Sequence, residues 1–140
     1  MFHTIVVGFD GSSGSRKALQ AAIRLAREQG ARVWTVGVEE RLPRYAATID
    51  EVDEERETAN AYFARLGAEA KTAADEAGVP LEGIIRAGHA AKVLVDVARE
   101  LDADLVVIGH TGHSDLWGTF LGTTADKVMR HAPCSVLVVR

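Results

Sequence analysis

Gly109-His110-Thr111-Gly112, then nine residues, then Gly122-Thr123-Thr124 is the pattern in this chain with the clearest chemistry. The apolar run Leu105-Val106-Val107-Ile108 precedes it and a helix-like stretch follows, so its glycines stand where a buried strand passes into a helix N-terminus. Such a junction exposes unpaired backbone N–H groups at the positive end of a helix dipole, and glycine lets the main chain approach an anion closely. The two adjacent hydroxyls of Thr123 and Thr124 add side-chain donors, although a threonine there also serves as an ordinary N-cap. The pattern reads as a nucleotide-phosphate cradle. It matches neither the P-loop ending Gly-Lys-Ser/Thr nor the dinucleotide fingerprint.

Other polar residues fall at the ends of strand-like runs. Asp10, in Gly8-Phe9-Asp10-Gly11-Ser12, either caps a helix or forms an Asx-turn, or else serves a ligand beside the glycine pattern. Among phosphates a carboxylate is repelled unless a cation intervenes, so there Asp10 would hold Mg²⁺ or accept from a ribose hydroxyl. Val38-Glu39 and Arg86-Ala87-Gly88-His89 follow two further strands. His110 and His113 lack the additional ligands of a closed zinc site. Trp117 and Phe120 lie in the nine-residue spacer, where they either anchor it or close over a ligand.

These loops need a scaffold, and its elements are legible. Short β-branched runs occur at Thr4–Val7, Val33–Val38, Leu81–Ile85, Leu105–Ile108 and Ser135–Val139. Between them lie helical spacings centred on Ala18–Ala26, Ala59–Ala73, Leu94–Leu101 and Ala125–Met129. Gly30, Gly78 with Pro80, and Pro133 supply stops. The alternation predicts an α/β fold, a single-domain, doubly wound, five-stranded parallel sheet with helices on both faces. Ligands of such sheets bind beyond the carboxyl ends of the strands. The stretch from Glu39 to Thr48, with Pro43 inside it, reads as a long loop of the kind that often binds or covers a ligand. The acidic run Asp50, Glu51, Asp53, Glu54, Glu55 and Glu57 reads as the dipole-complementing start of an exposed helix.

Composition limits the function classes. One domain spanning 1–140 accounts for the length, with 47% hydrophobic residues for a core. Sixteen basic against twenty acidic residues, a formal charge of −4, do not suit a surface that tracks nucleic acid. No run approaches a membrane span. Cys134 is the lone cysteine, expected as a small buried filler, and the expected location is cytoplasmic.

The opening Ile5-Val6-Val7-Gly8-Phe9-Asp10-Gly11-Ser12, the G-x2-G-x9-G-[ST] spacing and the ending His131-Ala132-Pro133-Cys134-Ser135-Val136-Leu137-Val138-Val139 resemble the universal stress protein family along the whole chain. The glycine spacing resembles that of its ATP-binding members. The resemblance implies a Rossmann-like, adenine nucleotide alpha hydrolase-like fold. It further implies an adenine nucleotide as ligand, with ATP, ADP, AMP and a cyclic nucleotide all left open, and Mg²⁺ is expected only together with the nucleotide, through Asp10. It also implies phosphate and ribose contacts from Gly109, Gly112, Gly122, Thr123 and Thr124, an acidic contact from Asp10, and adenine recognition by the backbone of Val38. The family has a proline after the polar residue that follows Gly88, and this chain lacks it. A homodimer through Val136–Val139 is implied as well.

The expected function is a stress-response regulator that binds adenine nucleotide and hydrolyses ATP slowly at most, because no lysine or arginine lies within the glycine pattern. The alternative is an enzyme using adenylate chemistry on a second substrate, with Asp10, Ser12, Ser13 and His89 as its polar candidates. A receiver-like domain is disfavoured by Arg86-Ala87-Gly88 where a phosphorylatable Asp would stand. Flavin is disfavoured by a Gly11–Ser15 turn that is only loosely phosphate-like. The double substitution of Gly109 and Gly122 by valine is expected to remove the ligand and leave a folded dimer.

Overall fold

The computed structural model describes residues 1–40, 49–110 and 122–140, with side chains described throughout these except at 49–56. Its elements run β1 (Thr4–Gly8), α1 (Ser13–Gln29), β2 (Arg32–Glu39), α2 (Ile49–Ala77), β3 (Leu81–Ala87), α3 (Ala90–Glu100), β4 (Leu105–Gly109), α4 (Thr123–His131) and β5 (Ser135–Val139). All strands are parallel, in the order β3-β2-β1-β4-β5. The chain winds outward from β1 to β3, then crosses back to lay β4 on the other side of β1. The strand order therefore reverses between β1 and β4.

Strand periodicity divides the core in two. Ile5, Val7, Val33, Leu105 and Val107 turn to one face and pack with Ala18, Leu19, Ala22 and Ile23 of α1 and Leu66, Ala70 and Ala74 of α2. Val6, Val36, Val106 and Ile108 turn to the other and pack with Val93, Leu94 and Val97 of α3 and Ala125 and Val128 of α4. Each such Val, Leu or Ile contributes about 1.5–3 kcal/mol by leaving water. This burial on both faces is why the central strands read as unbroken apolar runs.

Three boundaries differ from the sequence reading. β3 reaches Ala87, because Arg86 and Ala87 pair with Val38 and Glu39. Arg86 is tolerated in this edge strand since it stays partly exposed and meets Glu100 through two hydrogen bonds of 2.8 and 2.6 Å. Secondly, the Gly11–Ser15 stretch is mostly helix: Ser12 is the N-cap of α1, accepting from the Ser15 amide at 3.2 Å. Finally, α2 runs well beyond its apolar stripe, from Ile49 to Ala77. The acidic run begins this helix, as the sequence suggests, and residues 41–48 of the expected loop lie outside the described residues.

Candidate functional site

β1 ends by handing its last ladder bond to the neighbouring strand, Phe9 N–H donating to the Val36 carbonyl at 3.0 Å. The chain then turns away into α1. Asp10 closes this turn, its Oδ1 accepting from the Ser12 amide at 2.9 Å, which is the Asx-turn foreseen as one reading of that residue. Gly11 takes φ +84°, and a Cβ there would lie 2.7 Å from the Tyr62 hydroxyl. That hydroxyl donates to the Asp10 carbonyl at 2.7 Å. The turn is thus fixed from within by Asp10 and Ser12 and from outside by α2.

β4 ends at the adjoining position, and here glycine has a structural task. A Cβ on Gly109 would lie 2.8 Å from the carbonyl carbon of Gly14 and 2.9 Å from its oxygen, so β4 and the first turn of α1 meet backbone to backbone. His110, buried to 7% exposure, donates its amide to the Val139 carbonyl at 2.8 Å. Its own carbonyl accepts from the Gly122 amide at 3.0 Å. This last bond brings the start of α4 back to the end of β4. Gly122 is the N-cap and brings no side chain of its own to the helix end, and the Asp126 amide is the donor that reaches the Gly122 carbonyl. By helix geometry the amides of Thr123, Thr124 and Ala125 precede the first intrahelical bond. Threonine therefore does not cap this helix; Thr123 and Thr124 are its exposed first residues.

β2 supplies the third wall. In a parallel strand one residue directs both its N–H and its C=O to the same neighbour, and the next residue directs them to the other. Val36 faces β1, and Glu39 faces β3, where its carbonyl accepts from the Gly88 amide at 3.0 Å. Val38 therefore turns its amide and carbonyl toward the edge that β1 vacates after Phe9.

These three strand ends and the two helix starts enclose an open cleft of about 450 Å³. Asp10, Val38, Gly109, Gly122, Thr123 and Thr124 all line it, and Leu94 of α3 contributes to its apolar side. Gly112, His113, Trp117 and Phe120 lie outside the described residues. Of the polar candidates for adenylate chemistry, Ser12 lines the cleft, already engaged as a cap, while Ser13 and His89 do not line it. Among the described residues the lining holds the carboxylates of Asp10 and Glu40 and the imidazole of His110 but no lysine or arginine. No group of three metal-ligating side chains occurs among the described residues.

Tyr62 and Ser15 escaped the sequence reading. Tyr62 sits in an apolar helical stripe that reads as core, and only its hydroxyl distinguishes it. Ser15, which donates to the Ser12 carbonyl at 3.0 Å, is hidden by its place inside a run of serines and glycines. Trp34 is half-buried against the α3–α4 core. Cys134 is also half-buried, and burial, with a smaller contribution from Asp104, pushes its thiol up in pKa, which leaves it neutral and unreactive.

Fold and cleft together define a Rossmann-like α/β protein with a crevice at its topological switch point, the place where open sheets of this kind take ligands. The family model described as "Universal stress protein family" matches residues 1–140. Universal stress protein YxiE of Bacillus subtilis is 35% identical over 148 residues, covering all of both chains. Universal stress protein UspA from Lactobacillus plantarum superimposes with a TM-score of 0.84 at 24% identity, over 99% of this chain and 98% of that one. A universal stress protein solved in complex with cAMP has a TM-score of 0.77 at 30% identity, over 99% and 97%. The chain belongs to the universal stress protein family.

Proposed function

We propose that this protein is a stress-response regulator that binds an adenine nucleotide, ATP or its product AMP, in the cleft between β1 and β4. The observation that carries the reading is the start of α4. Three amides without intrahelical partners and two exposed hydroxyls border a cleft whose opposite wall presents the main chain of Val38. The amides suit phosphate oxygens, and one N–H beside one C=O suits the donor and acceptor edge of adenine. Gly109, Gly112, Gly122, Thr123 and Thr124 would face the phosphates and ribose. The relative in complex with cAMP supports an adenine ligand for this site.

Mg²⁺ would enter with the nucleotide. Asp10 suits it by chemistry and place: a carboxylate is a hard oxygen ligand, and this one borders the cleft. The ion would neutralise phosphate charge that the described lining leaves without a lysine or arginine. For the same reason hydrolysis should be slow, since phosphoryl transfer requires charge stabilisation and a positioned water. The lone, half-buried Cys134 suits a reducing cytoplasm.

The test is to denature the purified protein and identify the released nucleotide by mass, then titrate the emptied protein calorimetrically with ATP, AMP and cAMP. We expect adenine nucleotide in the released fraction and ATP turnover well below about 1 s⁻¹, under the range of dedicated kinases. Absence of both released nucleotide and binding heat overturns the reading. Fast pyrophosphate release on addition of a second substrate would favour adenylate chemistry instead.

The same reading includes a homodimer through Val136–Val139. Among the described residues β5 pairs only with β4 and leaves Leu137 37% exposed, so it offers an apolar edge that association would cover. Sedimentation equilibrium at micromolar concentration should return twice the chain mass; a monomer there would contradict the pairing.

A further inference from the structure

Away from the cleft, α3 and α4 lie side by side and leave a solvent-facing groove of about 330 Å³. Ala91 and Val95 form its apolar floor, while Lys92, Arg99, Lys127 and His131 rim it. Asp96 is the carboxylate among the lining residues. Three permanent cations against one anion leave a formal excess of two positive charges, on a chain whose total is −4.

Helix stability accounts for only part of these charges. Arg99 and His131 sit in last turns, where cations complement the dipole. Lys92, however, stands in the first turn of α3, where a cation is unfavourable. Its 2.7 Å bridge to Asp96 runs in the weaker sense, with the base N-terminal to the acid. Lys127 meets no hydrogen-bond or ion-pair partner among the described residues. Among the described residues the Arg99 guanidinium makes a long, 3.5 Å hydrogen bond to the His131 carbonyl and a weaker electrostatic contact with Asp96. Lys127 and Arg99, which form no salt bridge among the described residues, keep their capacity for an external anion.

We infer that the α3–α4 groove docks an acidic peptide segment of a partner protein. The rim spacing favours a short segment: Lys92, Asp96 and Arg99 follow one face of α3 at intervals of four and three, and Lys127 and His131 face them at an interval of four. Two helical turns span about 11 Å, enough for a few peptide residues. The apolar floor receives one or two aliphatic side chains while acids on either side meet the rim. A nucleic acid strand is a poorer fit, because it would extend beyond the basic rim over a surface of net negative charge. This inference stands apart from the nucleotide reading.

The experiment is fluorescence anisotropy with a fluorescein-labelled peptide, Glu-Glu-Leu-Glu-Glu-Val-Glu-Glu, at low salt. Wild type should bind it, and the double variant Lys92→Glu, Lys127→Glu should bind at least tenfold more weakly. Arg24→Glu, which removes an exposed cation from α1 on the opposite face, should bind like wild type. Lys127→Gln serves as a milder second variant, with an intermediate loss expected. Thermal melts should coincide because both groove lysines are exposed. Absence of wild-type binding, equal binding by groove variants and wild type, or tighter binding of a single-stranded DNA octamer than of the peptide overturns the proposal.

Discussion

Gly109→Ala is expected to destabilise the fold by about 1–3 kcal/mol, the usual cost of forcing atoms into a packed interior, and Gly109→Val by more. The new Cβ would meet Gly14 at 2.8 Å from its carbonyl carbon, 2.9 Å from its oxygen and 3.2 Å from its Cα. All three are backbone atoms, so no side-chain rotation relieves the contact. Either β4 or the first turn of α1 must shift, and both end at the cleft. Urea unfolding measures the cost; a midpoint and slope equal to wild type would remove the packing account. The expectation that Gly109→Val together with Gly122→Val spares the folded dimer does not survive this geometry.

Gly122→Asp should act in the opposite way. Gly122 has φ −60° and ψ 153°, a conformation open to any residue, and as a glycine it offers α4 no capping side chain. Aspartate is a preferred N-cap, and its charge opposes the helix dipole favourably, so stability should hold or rise by a few tenths of a kcal/mol. The same carboxylate would occupy the amides assigned to phosphate. Nucleotide affinity should then fall at least tenfold, about 1.4 kcal/mol or more. Calorimetry beside urea unfolding reads both quantities. A variant that binds as tightly as wild type would separate α4 from the ligand.

The scaffold was legible because its signals are local. Val6, Val7, Val106 and Val107 are buried on both faces of central strands, and the sequence displays them as continuous apolar runs. Gly30, Gly78 and Pro133 stand where helices stop. The edge strand β3 was cut short at Ile85 because Arg86 looks like a loop residue until Glu100, fourteen positions away, is brought beside it. Strand order was not legible at all, since parallel neighbours such as β1 and β4 meet across a sequence gap that carries no local signal.

At the site, the residue types were readable and their obligations were not. Asp10 admits both a turn-forming and a ligand-binding role by type, and the bond to the Ser12 amide establishes the first without excluding the second. Gly109 looks like a residue kept bare for phosphate, yet its nearest neighbour is the α1 backbone. Tyr62 is inconspicuous in a helix stripe, and its role emerges only from the approach of α2 to the Asp10 carbonyl.

The bond from the His110 amide to the Val139 carbonyl ties the heart of the crevice to the final strand. Displacing Val139 from β5 would unlatch His110 while sparing most of the hydrophobic interior. A disturbance of the edge strand would then register first in the shape of the crevice, well before global melting.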